Sequence, residues 1–386
     1  MMKAKPFHSE IISDARLLQG ILGLRGIAAF AIVLYHLRHL TEIPLPAGFY
    51  FIESDFAEGV HLFFALSAFS LMYSTEHTMH RPDWAREYLI KRFFRIAPLF
   101  YTILAFMLAW LVRNAVLSDS ALPDISTIFI NVFFVFGFFP DPEVGFVKAG
   151  WTVGVEMIFY VLFPILLMAI KTKKEALIFM LVSVLISYAS RVELHNLYLN
   201  TLPHSKWDWS YFAFLPNLFF FAAGIYAYRF EQSRKLLGKP LHVLVPLVAV
   251  LAVVLSLHIG PGKTLINLGP FGSLIQTFGL AALCVWQSTR PSLWSANRFF
   301  EYMGERSFSI YLLHPLVIYF SSGLIVNLYT KLESSMGAYA YFVCAALVMG
   351  ELLVMAEITY RIIEVPGIKL GRKVIETMRG KVPQPG

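Results

Sequence analysis

The chain has 386 residues, of which 57% are hydrophobic, 16% aromatic and only 15% charged. Soluble globular proteins carry about 25% charged residues, so this chain has too little charge to clothe a water-facing surface of its size. A mean hydropathy of +0.63 points the same way. These numbers exclude disorder and a nucleic-acid-binding module and argue against a soluble enzyme; the composition is that of a membrane protein. The formal charge of +7 fits loops facing anionic lipid. The two cysteines, Cys284 and Cys344, both lie in apolar runs and suggest neither a disulfide framework nor a metal site.

In chain order, the first 16 residues are polar, and the apolar run after them is too long for a signal-peptide core. A spanning helix needs about 20 mostly apolar residues. Ten segments qualify: 18–40, 57–75, 96–117, 151–170, 175–190, 211–229, 241–259, 268–288, 307–328 and 338–363, the fifth being short. An eleventh apolar stretch, 128–139, has 12 residues and ends in Pro140-Asp141-Pro142, which suits a re-entrant or half-helix. With a cytoplasmic N-terminus and 128–139 not crossing, 24 Lys and Arg fall on the cytoplasmic side and 7 on the other, with Arg25 inside the first helix. That asymmetry is a strong positive-inside signal, and a full crossing by 128–139 would largely erase it. The sequence therefore predicts an all-α, polytopic transmembrane bundle of about ten spanning helices plus one half-helix, both termini cytoplasmic. Loops are short, the longest external one covering 191–210. The whole chain, 1–386, reads as one integral-membrane domain with its core at 18–373 and short cytoplasmic tails, so chemistry must sit within the bundle or at its rims.

Charges inside spans cost roughly 2.5–3.5 kcal/mol on insertion scales and mark function by default. Arg25 and His36 on the first helix are 11 residues apart, which places them on nearly one face, roughly 16 Å apart along the axis. Gly23 and Gly26 beside the arginine allow a neighbouring helix or ligand to come close. The second segment, Gly59 to Ser70, holds His61 and Ser67 among small residues that suit helix packing. Arg92 and Arg95 share a helix face at the cytoplasmic surface; guanidinium pairs of this kind suit phosphate oxygens, although lipid-headgroup anchoring accounts for the bare pattern as well. Trp151 opens the fourth span as an interfacial aromatic residue, and Glu156 lies one and a half turns further in, with Arg25, His36 or a proton as candidate partners. Tyr311 and His314 lie in the ninth span. The last segment adds Glu351 and Glu357, and Glu364 near Arg361 reads most simply as a rim salt bridge. Two imidazoles, an intramembrane carboxylate and an inner arginine make a plausible acid–base site, and they suit a proton-coupled transporter equally well.

The order and spacing of these elements resemble the membrane-bound acyltransferase-3 family, over about 18–373. The resemblance rests on the Arg25/His36 pair, the Gly-Val-x-x-Phe-Phe-x-Leu-Ser block at 59–67, Arg92-x-x-Arg95-x-x-Pro98, the Trp-Thr-x-x-x-Glu block from 151, the Ser-x-x-x-Tyr-Leu-x-His-Pro block at 307–315 and Glu-x-Pro at 364–366. Two positions depart from the family pattern: Ala68 stands where glycine is usual, and His61 where an acid is common. The resemblance implies ten core helices with cytoplasmic termini in the inner membrane of a bacterium. It also implies transfer of an acyl group, acetyl above all, from cytoplasmic acyl-CoA to a hydroxyl of an envelope polysaccharide or lipid-linked sugar. On this basis acyl-CoA is a co-substrate, with no tightly bound cofactor and no metal. Arg92, Arg95 and Trp151 fall on the donor side. Arg25 would stabilise the carbonyl oxyanion, His36 would act as general base or be transiently acylated, and Glu156 would orient or charge-balance the imidazolium. Ser67, His61, Tyr311 and His314 become acceptor-side candidates. Expected partners are acyl-CoA, the glycan acceptor and membrane lipid, but no nucleic acid. Some relatives carry a C-terminal extracytoplasmic esterase-like domain; this chain ends about 20 residues after its last predicted helix, so it is expected to act alone, as a homo-oligomer or with a separate partner.

Overall fold

The computed structural model describes residues 7–139, 145–201, 208–234, 245, 247–249, 251, 270–289 and 291–379. The predicted span at 241–259 lies largely outside these. Among the described residues all regular structure is helical. The longer helices are α1 (Phe7–Thr41), α2 (Gly59–Thr75), α3 (Trp84–Ser118), α4 (Ile125–Val132), α5 (Trp151–Ala169), α6 (Lys173–Thr201), α7 (Phe214–Arg234), α8 (Pro270–Thr289), α9 (Arg298–Glu305), α10 (Ser307–Met336), α11 (Ala340–Thr359) and α12 (Val365–Arg379).

Among the described residues, seven stretches are long and apolar enough to cross a membrane, and the last of them, Ser307–Arg379, contains both α10 and α11. The chain reverses between those two at Gly337, whose φ of +57° glycine adopts without steric cost. The segment predicted at 268–288 is helical as α8, but Ser273, Gln276, Thr277, Gln287 and Ser288 are buried along it, and it is not among the seven.

The stretch predicted at 128–139 contains α4, whose 8 residues span about 12 Å against a hydrocarbon core of about 30 Å. The Asp124 carboxylate starts the helix by accepting from the N–H of Ser126 at 3.0 Å, an ordinary N-cap. Phe134 stops it with a φ of +60°, a conformation that a bulky residue rarely adopts. Two expectations need correction. Residues 191–201 are not loop but the last turns of α6. Their polar side chains lower the hydropathy, yet no glycine or proline interrupts the helix before Pro203. Likewise the C-terminal tail is largely the helix α12.

The chain forms two compact units: residues 1–73, 170–189 and 217–353 make the first, and residues 74–169, 190–216 and 354–386 the second. In the first, α1 packs closely on the segment holding α9. A methyl group at Gly23 or Gly26 would collide with the carbonyl oxygens of Ser295 and Phe300, and one at Gly304 with that of Leu22, so small residues set this approach. α2 and α7 run side by side in one direction, shown by the successive ring pairs His61–Phe220, Phe64–Phe221 and Phe69–Tyr228. α1 and α10 also run in one direction, since Arg25 meets Ser307 and His36 meets His314.

In the second unit, α12 lies on the first turns of α3. Gly367, Gly371 and Ile375 form its buried stripe. A Cβ at Gly367 would stand 2.7 Å from Pro98 and one at Gly371 2.7 Å from Phe94. Lys369, Arg372, Lys373 and Arg379 stay exposed.

Candidate functional site

In the first unit, α1 and α10 bring together most of the predicted polar residues of the bundle. Arg25 Nε donates to Ser307 Oγ at 3.2 Å, and its guanidinium carbon stands 5.6 Å from the centre of the Phe63 ring, within cation–π range. Phe63 meets Tyr311 edge-on at 5.9 Å. The His36 and His314 rings lie 4.6 Å apart. Ser307, Tyr311 and His314 follow the i, i+4, i+7 spacing of one helix face, which is how α10 presents all three to α1.

The hydrogen bonds of the two imidazoles set their chemistry. His36 Nδ1 is 3.0 Å from the Ile32 carbonyl oxygen, and His314 Nδ1 is 2.5 Å from that of Tyr311. A carbonyl only accepts, so in each neutral ring Nδ1 carries the proton and Nε2 keeps its lone pair. His314 is fully buried, and its Nε2 has no hydrogen-bond partner among the described residues. A pinned ring with an open basic nitrogen is suited to accept a proton from a hydroxyl.

His61 and Ser67 are buried on α2. His61 Nδ1 bonds Glu58 at 2.5 Å, and its ring stacks on Phe220 at 3.9 Å. The position predicted to lack its usual acid thus carries a histidine joined to a carboxylate one turn earlier. Ser321 donates to Glu351 at 2.7 Å.

In the second unit, a cavity of about 360 Å³ opens beside the first turns of α3. Lys91, Arg92, Arg95 and, from α12, Arg372 supply four cations to its wall, and Glu87 supplies one carboxylate. Arg92 Nη2 lies 3.4 Å from Ser74 Oγ, and its guanidinium carbon is 5.7 Å from the Tyr88 ring centre. Arg92 Nε is buried with no partner among the described residues. Arg379 grips Glu87 with two bonds of 2.5 and 2.6 Å, which neutralises the one acid in the wall. Arg92 and Arg95 are therefore brought together as predicted. Lys91, Ser74, Tyr88 and Arg372 join them; of these, Arg372 was hidden in the sequence by its place in an apparent tail.

Glu156 is half-buried on α5 and is not part of the cavity wall. Trp151 is not part of the cavity wall; it packs on Tyr211 and Phe212 with ring centres 5.1 Å away. The rim salt bridge predicted for Glu364 is also corrected, because Arg361 bonds Glu357 while Glu364 is fully buried.

Apolar helices of spanning length mark the chain as an integral membrane protein. Residues 18–353 match the family model described as an acyltransferase domain, and the chain belongs to that acyltransferase-3 family. It is similar to proteins named putative O-acetyltransferases in Staphylococcus aureus, strains MRSA252 and COL, at 25% identity over 419 aligned positions that cover 100% of this chain and 62% of each relative. The chain thus spans about three fifths of the length of these curated relatives. No solved structure matches it.

Proposed function

We propose that the protein is a transmembrane O-acyltransferase of the bacterial cytoplasmic membrane. It moves an acyl group, acetyl foremost, from cytoplasmic acyl-CoA to a hydroxyl of a cell-envelope polysaccharide or lipid-linked sugar. The observation that carries this reading is the His36–His314 pair, whose rings lie 4.6 Å apart with each Nδ1 held by a backbone carbonyl, so that each Nε2 keeps its lone pair.

In the proposed step, His36 Nε2 takes the proton of the acceptor hydroxyl as its oxygen attacks the thioester carbonyl. The C–S bond breaks, the C–O bond forms, and the imidazolium returns its proton to the departing CoA thiolate. Arg25, fixed by Ser307 and Phe63, stabilises charge on the carbonyl oxygen; such donors act most strongly where water is excluded. His314 assists on the acceptor side, and Tyr311 on α10 and Ser67 and His61 on α2 are the other acceptor-side residues. Arg92 and Arg95 hold donor phosphates. Glu156 keeps the role implied by the family, to orient or charge-balance the imidazolium.

The membrane arrangement proposed is ten spans with cytoplasmic termini. The parallel run of α2 and α7 supports it, because parallel neighbours require an odd number of crossings between them. α3, α5 and α6 provide three and the short α4 none. The decisive experiment incubates purified protein with acetyl-labelled acetyl-CoA and cell-envelope glycan fractions. Label covalently attached to glycan is the expected result; CoA-independent flux of an unmodified substrate would replace this reading with proton-coupled transport.

A further inference from the structure

From the cavity in the second unit we infer that α12 completes a phosphate-recognition site, with Arg372 as a ligand-binding residue and the Glu87–Arg379 pair as the latch that positions it. The inference rests on the acyl-CoA reading only for the identity of the ligand. The site itself is carried by charge and geometry.

Four cations, Lys91, Arg92, Arg95 and Arg372, share one wall of a cavity of about 360 Å³, a volume suited to a phosphorylated group rather than a single ion. Like charges repel, so gathering them costs free energy unless an anion offsets it. Glu87, the one carboxylate in that lining, is gripped by Arg379, and a single acid cannot balance four cations. Lys91, Arg95 and Arg372 have no ion-pair or hydrogen-bond partner among the described residues, and the buried Nε of Arg92 is unsatisfied. A buried donor without a partner is costly, and a phosphate oxygen would satisfy it.

Three of these cations come from α3. The fourth comes from a helix that begins at Val365, beyond the residues matched to the family at 18–353. Gly367 and Gly371 seat that helix against Phe94 and Pro98, and Arg379 ties down its far end. Arg379 does not line the cavity. It acts through Glu87, by holding α12 in place and by cancelling a negative charge that would repel the ligand. Phosphate groups here could come from CoA or from a lipid headgroup, and the test separates the two.

The full-length protein, purified in detergent, is titrated with CoA and separately with short-chain phosphatidylglycerol, for the wild type, R372A, R372K, R379A and R379K. Arg372 is exposed, so its replacement leaves the fold intact. The loss of one charge-assisted bond should weaken binding about tenfold in R372A, with R372K restoring most of it and added salt narrowing the difference. R379A should weaken binding by a similar factor, with R379K recovering part of it, as a positioning role requires. If wild type binds phosphatidylglycerol but not CoA with the same dependence on Arg372, the phosphate site stands and the acyl-CoA donor reading falls. If R372A binds both ligands as tightly as wild type, or if wild type binds neither, the inference is overturned.

Discussion

At the scale of single residues, the proposed chemistry depends on which ring nitrogen keeps its lone pair. His36→Ala should lower acyl transfer by about 10²–10⁴-fold, the range of a lost general base, with the protein still inserted and monodisperse on gel filtration. Full activity in that variant would remove His36 from the mechanism. Arg25→Lys should not restore what Arg25→Ala loses, because a point charge replaces a planar group that donates to Ser307 and faces Phe63 at once. Labelled-glycan assays on the two variants check this. Arg25 and His36 could be recognised in the sequence because a charged or titratable group is costly to place in a spanning helix and so marks a functional position. The pairing of His36 with His314 was not legible: 278 positions separate them, and only the side-by-side run of α1 and α10 makes them neighbours.

At the scale of elements, close helix contacts rest on positions without side chains. Gly26→Val and Gly304→Val should each lower stability by at least about 1–3 kcal/mol, the usual cost of overpacking, because the added atoms meet backbone rather than a movable side chain. Gly350→Val, which meets nothing within 4 Å, should leave the melting temperature nearly unchanged, and thermal-shift curves on the three variants test the contrast. Gly367→Val should lift α12 from α3 and speed tryptic cleavage at Lys369, Arg372 and Lys373, read as loss of the C-terminal segment over time. The role of Gly23 and Gly26 was foreseen from their place beside Arg25. The seating of α12 was not, although Gly367, Gly371 and Ile375 repeat every four residues, because the polar residues between them give the segment the look of a solvated tail.

At the scale of the whole molecule, the sidedness of the loops is the testable quantity. Cys284 and Cys344 are both buried, so the native protein should react little with a membrane-impermeant maleimide. Single cysteines placed at Ser120 and Ser335 should label in intact cells, and those at Arg81 and Thr172 only after permeabilisation. The reverse pattern would invert the proposed orientation.

Local composition and length were enough to establish that the chain is helical and membrane-embedded, where most of the described apolar helices lie, that 128–139 is too short to cross, and which few ionisable groups stand out. About 20 apolar residues fill a bilayer, and a charge among them is expensive. Tertiary structure alone decided which of those groups meet. It joined His36 to His314, moved Trp151 away from the cationic wall, and turned an apparent tail into part of the wall of the cationic cavity. The physical reason is that helix formation is governed by neighbours a few positions apart, whereas a site depends on which helix faces pack together, and those faces come from segments hundreds of residues apart.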